Sequence, residues 1–291
     1  MKISVIIPCL NAADTIGETL DALVGQVWPT EWEVIIADNG STDALGSVVE
    51  PFKTRIPSLK VVDASAKRGA AYARNLAVNA ASGEHLLFCD ADDVPGSGWA
   101  PALAGSLRDH DFVAARFEFD RLNPPSIAAA RGGTQFDALQ TCRFLPFPYA
   151  GAGSLGISKR LHVGVGGFDE SIRIGEDTDY CMRIQLAGQT LVFVPDALLH
   201  YRLRGTQSQM YRQGFRYAEN AVYLYKKYGE RSSWELWRWR AHGRSLGTLL
   251  GKALELIRTP EGKAILAWRL GVHTGAFVGA LRFGTPPVMA E

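Results

Sequence analysis

The sequence predicts an α/β fold: a mostly parallel central sheet flanked by helices, followed by a helical extension. Three observations carry this. Short, near-continuous apolar runs alternate with helix-period segments through the first 95 residues. Strands that read this way are buried on both faces, as in parallel sheets covered by helices. Polar and acidic residues stand where each run ends, and from Thr206 onward three helical segments replace the strand signal.

The elements follow in order. "ISVIIPCL" is rich in β-branched residues and is closed by Pro8. From Asp14 to Val27, the residues Ile16, Leu20, Leu23, Val24 and Val27 recur at helical spacing. "WEVIIADNGSTD" is a second strand running into a turn cluster, and "PSLKVVDAS" is a third. Gly69 to Ala81 forms an Ala-rich helix, and "GEHLLFCD" is a fourth strand. From Asp111, "DFVAARFEF" alternates as a strand with one polar face does. Residues 121–153, rich in Pro, Gly and Ala, read as a long mobile loop with one short helix. "SLGISK" is a strand, and "GGFDESIRIGEDTDYCMRIQLAG" turns into a helix near Glu176. "TLVFVPDALLHYRL" reads as two strands bent at Pro195.

The length of 291 residues suits one large α/β domain with an appendage, and a 47% apolar composition suits a globular core. Net charge is near zero but unevenly spread. Residues 201–291 carry fifteen Lys/Arg against six Asp/Glu, and the first 200 carry sixteen against twenty-four. An acidic site in the body and a basic tail near something anionic are therefore expected. The four cysteines, Cys9, Cys89, Cys142 and Cys181, form no CxxC pair and read as reduced thiols of a cytoplasmic protein. "MKISVIIPCL" reads as a strand rather than a signal peptide. No uncharged apolar run of 18 residues appears, so no membrane-spanning helix is expected.

Ligands of open α/β sheets bind at the carboxyl ends of the strands. Here those ends carry "CLN", "DNGSTD", "DASAKRG" and "DADD". Asp90, Asp92 and Asp93 lie within four positions, and carboxylates that close repel unless a cation or a rigid donor network holds them. Asp-x-Asp in an extended chain places Asp90 and Asp92 on one face, suited to Mg²⁺ or Mn²⁺ with substrate phosphates. Lys67, Arg68 and Arg74 supply positive charge nearby, although an arginine in an Ala-rich helix is often a surface residue. Asp38 either caps its turn or faces a ligand. Downstream, Glu176, Asp177 and Asp179 either complement a helix dipole or include a general base. His200 reads as a core histidine, an exposed one or a metal ligand.

Together the blocks "VIIPCLN", "VIIADNGSTD", "KRGAAYARNLA", "LLFCDADD", "GGFDE", "GEDTDYCMRI" and "LLHYRLR" resemble the family 2 glycosyltransferases, inverting enzymes of GT-A fold. The resemblance implies a catalytic domain over 1–205, with a nucleotide-sugar-binding half over 1–95 and an acceptor half over 96–205. Residues 206–291 then form a C-terminal helical extension. It implies that Asp38 binds the nucleotide base, that Pro8, Cys9 and Asn11 line the nucleoside pocket, and that Arg68 and Arg74 lie beside base and diphosphate. Asp90 falls towards ribose or metal, Asp92 is a metal ligand, Asp177 is the catalytic base, and His200 completes the metal site. Asp93, Glu176 and Asp179 are secondary candidates. The implied donor is a nucleotide-diphosphate sugar, UDP-linked first, with Mn²⁺ or Mg²⁺ as cofactor. The implied acceptor is a carbohydrate, glycolipid or other hydroxyl-bearing molecule in envelope glycan assembly. Where the family often reads Pro-x-Tyr-Asn-Glu, this chain has "PCLNAA", losing a stack and a polar contact near the nucleoside.

The segments "WELWRWRAHGRSLGTLLGKALELI" and "KAILAWRLGVHTGAFVGALRF" mix Trp, Arg and aliphatic residues. This composition suits helix packing, dimerisation, or an amphipathic helix at the inner face of a membrane. A dehydrogenase is excluded because G-x-G-x-x-G does not follow the first strand. A nucleotidylyltransferase would need a Gly-rich basic loop there, and none is present. No nucleic-acid-binding motif accompanies the basic tail. A non-catalytic nucleotide-sugar-binding or scaffold protein of the same fold is the remaining alternative.

Overall fold

The computed structural model describes residues 2–131, 133–229 and 235–288. They form two compact units: Met1–Glu118 with Gln135–Gln140 and Tyr149–Arg202, and Phe119–Thr134 with Thr141–Pro148 and Leu203–Glu291.

The first unit is the α/β body. In chain order it holds β1 (Ile3–Cys9), α1 (Ile16–Val24), β2 (Trp32–Asp38), α2 (Leu45–Val49), β3 (Leu59–Asp63), α3 (Ala70–Ala80), β4 (His85–Phe88), β5 (Val94–Pro95), α4 (Trp99–Ser106) and β6 (Phe112–Glu118). The helix α5 (Pro125–Arg131) belongs to the second unit. β7 (Leu155–Ser158), α6 (Lys159–Gly164), α7 (Glu176–Leu186) and β8 (Val192–His200) complete the body.

One eight-stranded sheet runs in the order β3-β2-β1-β4-β7-β6-β8-β5. β1 pairs parallel with β2 and β4, and β2 pairs parallel with β3. β7 runs antiparallel between β4 and β6, β6 and β8 are parallel, and β5 closes the sheet antiparallel to β8. The expected parallel sheet thus holds for the first half, and the second half is mixed. The central strands are the core: Ile3, Val5, Ile6, Ile7, Val34, Ile35, Ile36, Leu86, Leu87 and Phe88 have no exposed surface.

Three local expectations change. β3 is an edge strand whose Lys60, Val61 and Asp63 are exposed. β8 is one strand rather than two, because its pairing with β6 shifts register between Ala115 and Arg116, which absorbs Pro195 without ending the strand. Part of the Gly/Pro-rich segment expected to be mobile is pinned: Gln140 and Tyr149 form a two-way backbone bridge, and Ala152–Ser154 forms a 3₁₀ turn into β7.

The second unit carries α8 (Gln207–Tyr228), α9 (Glu235–Gly251), α10 (Ala253–Leu256) and α11 (Pro260–Phe283). Thr206 and Gln209 start α8 with a reciprocal capping box. Its buried face includes Met210, Gly214, Ala218, Val222 and Tyr225, while Tyr211 is 37% exposed. α11 lies against α8 through glycines. A Cβ on Gly271 or Gly275 would overlap the carbonyl oxygens of Tyr211 or Phe215, and one on Gly279 would sit 3.0 Å from the Glu219 oxygen. α11 has 24 residues and a window of mean hydropathy 1.3, so it is long and apolar enough to cross a membrane by length and composition. Arg269 interrupts this segment, so it contains no uncharged apolar run of 18 residues. Of that window, 44% is buried against the protein.

Candidate active site

The parallel register sets Cys9, Asp38 and Asp63 side by side at the carboxyl edge of the sheet. Asp38 Oδ1 accepts from the Ser41 backbone N–H at 2.8 Å, folding "NGST" into a turn. Asn11 takes a left-handed φ of 51°. Its N–H donates to Ser41 Oγ at 3.0 Å, and its Oδ1 accepts from the Thr42 N–H at 2.8 Å. The loops after β1 and β2 are thereby tied together. Pro8 is half-buried. Cys9 is buried, and burial, then the Asp38 charge, pushes its thiol up to about 12. Its thiol lies beside Ser41 and Asp38 of the adjoining turn.

Asn39 was legible only as a turn former, and its role is larger. Its Nδ2 donates to the Ala64 and Lys67 carbonyls at 2.6 and 2.8 Å, and its Oδ1 accepts from the Gly69 N–H at 2.8 Å. A single buried amide therefore shapes the loop into α3. Arg68 lies exposed in that loop.

The "DADD" segment is a turn, not an extended strand, with the Asp93 N–H donating to the Asp90 carbonyl at 3.3 Å. The three carboxylates have separate surroundings. Arg74 Nη2 donates to Asp90 Oδ1 at 2.7 Å. Asp93 is buried, and its Oδ1 accepts from the Arg202 N–H at 2.8 Å. Arg202 Nε donates to the Asp92 carbonyl at 2.9 Å, and the Arg202 guanidinium reaches Glu18 at 2.8 Å. Thr19 Oγ1 donates to the Asp93 carbonyl at 2.7 Å from α1. A rigid donor network thus holds the cluster, and Asp93 is part of the scaffold. Asp92 is half-buried.

Arg74 is not a surface residue. It is 4% exposed, and its Nη1 donates to Glu176 Oε1 at 2.8 Å while its Nη2 holds Asp90. Burial opposes its charge, but Asp90 and then Glu176 more than offset this and raise its pKa. One guanidinium therefore joins the end of β4 to the start of α7. Phe168 of "GGFDE" lies under it, the guanidinium carbon 5.4 Å from the ring centre. Asn75 fixes that turn by donating to the Phe168 carbonyl and accepting from its N–H, both at 2.9 Å. Gly167 has φ +68°, and a Cβ there would sit 2.6 Å from Asn75 Oδ1.

Asp177 follows Glu176 in the first turn of α7 and is half-buried. Its Oδ1 accepts from the Thr178 N–H at 2.7 Å, and the nearby Ala152 backbone N–H also favours its charged form. Burial nevertheless raises its pKa, with the Asp90 charge adding to the rise. Glu176 is likewise raised, by burial first and the Asp177 charge second. Asp179 belongs to the scaffold: fully buried, it accepts from Arg183 Nε at 2.8 Å. The same arginine donates to the Val165 and Gly167 carbonyls.

His200 pairs with Val94 of β5, which directly follows the Asp90–Asp93 turn. In register with Glu118, its Nδ1 lies 2.5 Å from Glu118 Oε2. Among the described residues no group of three or more His, Cys, Asp or Glu is arranged to hold a metal ion. The donor chemistry of Asp90 and Asp92 still fits a hard divalent cation, because such ions take one or two carboxylates and fill their remaining positions with phosphate and water.

Acidic strand ends on a parallel half-sheet, joined by a guanidinium to a carboxylate pair at the start of α7, with a mixed second half-sheet, define the class: the chain has the GT-A fold of glycosyltransferases. Residues 4–157 match the model of glycosyl transferase family 2, more than half of the chain, and residues 131–275 match that of glycosyl transferase family group 2. The chain belongs to glycosyl transferase family 2. It is 40% identical to the poly(ribitol-phosphate) beta-glucosyltransferase of Bacillus spizizenii over 99 residues, which are 33% of this chain and 16% of that protein. It is 28% identical to glycosyltransferase AglE of Haloferax volcanii over 200 residues, 67% of this chain and 65% of that one. The chain thus spans less than two thirds of the length of these relatives. Residues 1–349 of Staphylococcus aureus TarS, solved with UDP, share the fold at TM-score 0.58 and 19% identity, covering 98% of this chain and 92% of that one. The Pyrobaculum calidifontis mannosyltransferase PcManGT, solved with GDP-Man and Mn²⁺, does so at TM-score 0.60 and 20% identity, covering 98% of this chain and 76% of that one.

Proposed function

We propose that the chain transfers a sugar, with inversion, from a UDP-sugar to a hydroxyl of a carbohydrate, glycolipid or other glycoconjugate. The observation that carries this is the Asp90–Arg74–Glu176 bridge, which sets a strand-end carboxylate of the nucleotide half beside the carboxylate pair of α7. A donor lying along the strand ends would present its sugar–phosphate bond towards Asp177.

In this reading Asp38 and Asn11 border the nucleoside, and exposed Arg68 faces the diphosphate. Arg74 acts one layer below, fixing Asp90 and Glu176. Asp177, raised by burial, takes the proton of the acceptor hydroxyl as that oxygen attacks the anomeric carbon from the face opposite the diphosphate. One displacement suffices and inverts the configuration. Asp92 with Asp90 would hold Mn²⁺ or Mg²⁺, which when bound neutralises charge on the departing diphosphate. Residues 1–95 serve as the donor half and 96–205 as the acceptor half.

The proposed setting is the cytoplasmic face of a membrane, with 206–291 as a peripheral contact. Exposed Leu250, Leu254 and Ile257, with Lys252 and Arg258 in the same stretch, support this.

Calorimetry with UDP, GDP and TDP, each with and without Mn²⁺, tests the donor assignment on the wild type and on Asp92→Ala. Metal-dependent binding of UDP, lost in the variant, is expected. Binding of no nucleotide under either condition would overturn the proposal and leave a scaffold protein.

A further inference from the structure

Gln135 lies in the Gly-rich segment before β7, outside every motif of the sequence. It is 2% exposed and holds a left-handed φ of 56°, a conformation that few residues other than glycine adopt. Such strain persists only where the surroundings over-determine it. Here they do. Nε2 donates to the Ala115 carbonyl at 2.8 Å and to Ser154 Oγ at 2.6 Å. Oε1 accepts from Gln140 Nε2 at 3.0 Å and from the Gly151 N–H at 2.9 Å. All four hydrogen-bonding positions of the side-chain amide are filled. Its backbone carbonyl also accepts from the Phe117 N–H at 2.9 Å.

What this amide holds is the turn from Gly151 to Ser154, gripped at both ends. The two residues between the grips face the carboxylates of the site. The Ala152 backbone N–H lies near enough to the Asp177 carboxyl to favour its charged form. Gly153 packs so tightly on Asp90 that a Cβ would sit 2.9 Å from both Cγ and Oδ2. Ser154 Oγ closes the turn on the Gly151 carbonyl at 2.8 Å. The same short turn thus touches the carboxylate at the end of β4 and the one at the start of α7.

We propose that Gln135 is a positioning residue, which sets the turn Gly151–Ser154 and through it the geometry of the Asp177 carboxylate relative to Asp90. This rests on the reading of Asp177 as the base, and the coupling itself can be observed without turnover. A wrong placement of about 1 Å near a reacting group can cost roughly 100-fold in rate, so a remote amide of this kind has catalytic weight without touching substrate.

The test compares wild type, Gln135→Leu and Ser154→Ala by ¹³C NMR of side-chain carboxylates at neutral pH, with the Asp177 signal assigned from its loss in Asp177→Asn. Binding of UDP and release of UDP from UDP-glucose are measured on the same samples. The expected result is a displaced Asp177 carboxylate signal, an unchanged Glu33 signal as the remote reference, UDP affinity within about twofold, and turnover down roughly 100-fold. Ser154→Ala, which removes one of the four bonds, serves should Gln135→Leu not fold. An Asp177 signal at its wild-type position in a folded variant overturns the proposal whatever the turnover does. Transfer retained by Asp177→Asn would instead remove the base assignment while leaving the coupling to be read from the spectrum.

Discussion

Arg74 and Glu176 form an ion pair at 2.8 Å, with side chains only 5% and 11% exposed, although they stand 102 positions apart in the chain. The second fork of the same guanidinium takes Asp90 at 2.7 Å. Removing one partner of a buried pair costs about 3–5 kcal/mol, because a charge is left uncompensated. Arg74→Met should therefore lower the unfolding free energy, read from denaturant melts, by an amount in that range. Arg74→Lys should recover little, since an ammonium cannot present the planar fork that serves two carboxylates. Wild-type stability in Arg74→Lys would show that charge alone suffices.

The acid limb of the pH–rate profile should lie above the ordinary Asp value of 3.8, because burial raises the Asp177 pKa and the base must be ionised to accept a proton. Glu176→Gln removes a neighbouring negative charge and leaves Arg74 less neutralised. Both changes favour the Asp177 carboxylate, so the limb should move to lower pH. Initial rates on a UDP-sugar across pH would show either shift, and a limb that stays in place in Glu176→Gln would exclude the coupling.

Glu33 supplies a stability prediction away from the site. Its carboxylate has no exposed surface and accepts from Ser4 Oγ, the Ser82 N–H and Ser82 Oγ, with Lys60 at 3.0 Å. Burial opposes its ionisation, yet these donors prevail and lower its pKa from 4.5 to about 2. A depressed folded pKa contributes stability in full above the unfolded value, and that stability is lost as pH falls through the folded one. Glu33→Gln should thus cost about 3 kcal/mol near pH 7. The gap should close between roughly pH 4.5 and 2 in urea melts taken at several pH values.

In the helical unit, Gly275→Ala places a methyl group against the Phe215 carbonyl oxygen. Forcing α8 and α11 apart should cost about 1–3 kcal/mol, as overpacking does. Val278→Ala, on the exposed face of the same helix, should be close to neutral. Thermal melts of the two variants compare the contact face of α11 with its outer face.

Sedimentation with anionic vesicles at low salt should carry the protein down, and Leu254→Asp should reduce this, because Leu254 is 75% exposed beside basic residues. Equal sedimentation of wild type and variant would place the contact elsewhere.

The alternation of β1 to β4 with α1 and α3 was legible because those strands are apolar throughout and the helices keep their period. Asp38, Asp90 and Asp177 were legible because each sits where a strand ends or a helix begins. The fork of Arg74, the hub of Asn39 and the clasp of Gln135 were not. Each of these polar side chains reaches partners brought near by folding, and nothing local separates such a residue from a surface one. The insertion of antiparallel β7 between β4 and β6 was hidden for the same reason, since strand order is set by pairing and the four-residue run Leu155–Ser158 does not declare its direction.

The two ends of the sheet bear on how the chain behaves at high concentration. At one end β5 is two residues long and includes Pro95, which has no N–H to offer an incoming strand. At the other, β3 exposes Lys60 and Asp63, and a charged five-residue edge is a poor template for another chain. Neither border gives the long apolar ladder on which intermolecular β-pairing grows. The folded protein is thereby guarded against edge-to-edge aggregation, and the hazard is confined to chains whose apolar central strands have not yet been covered.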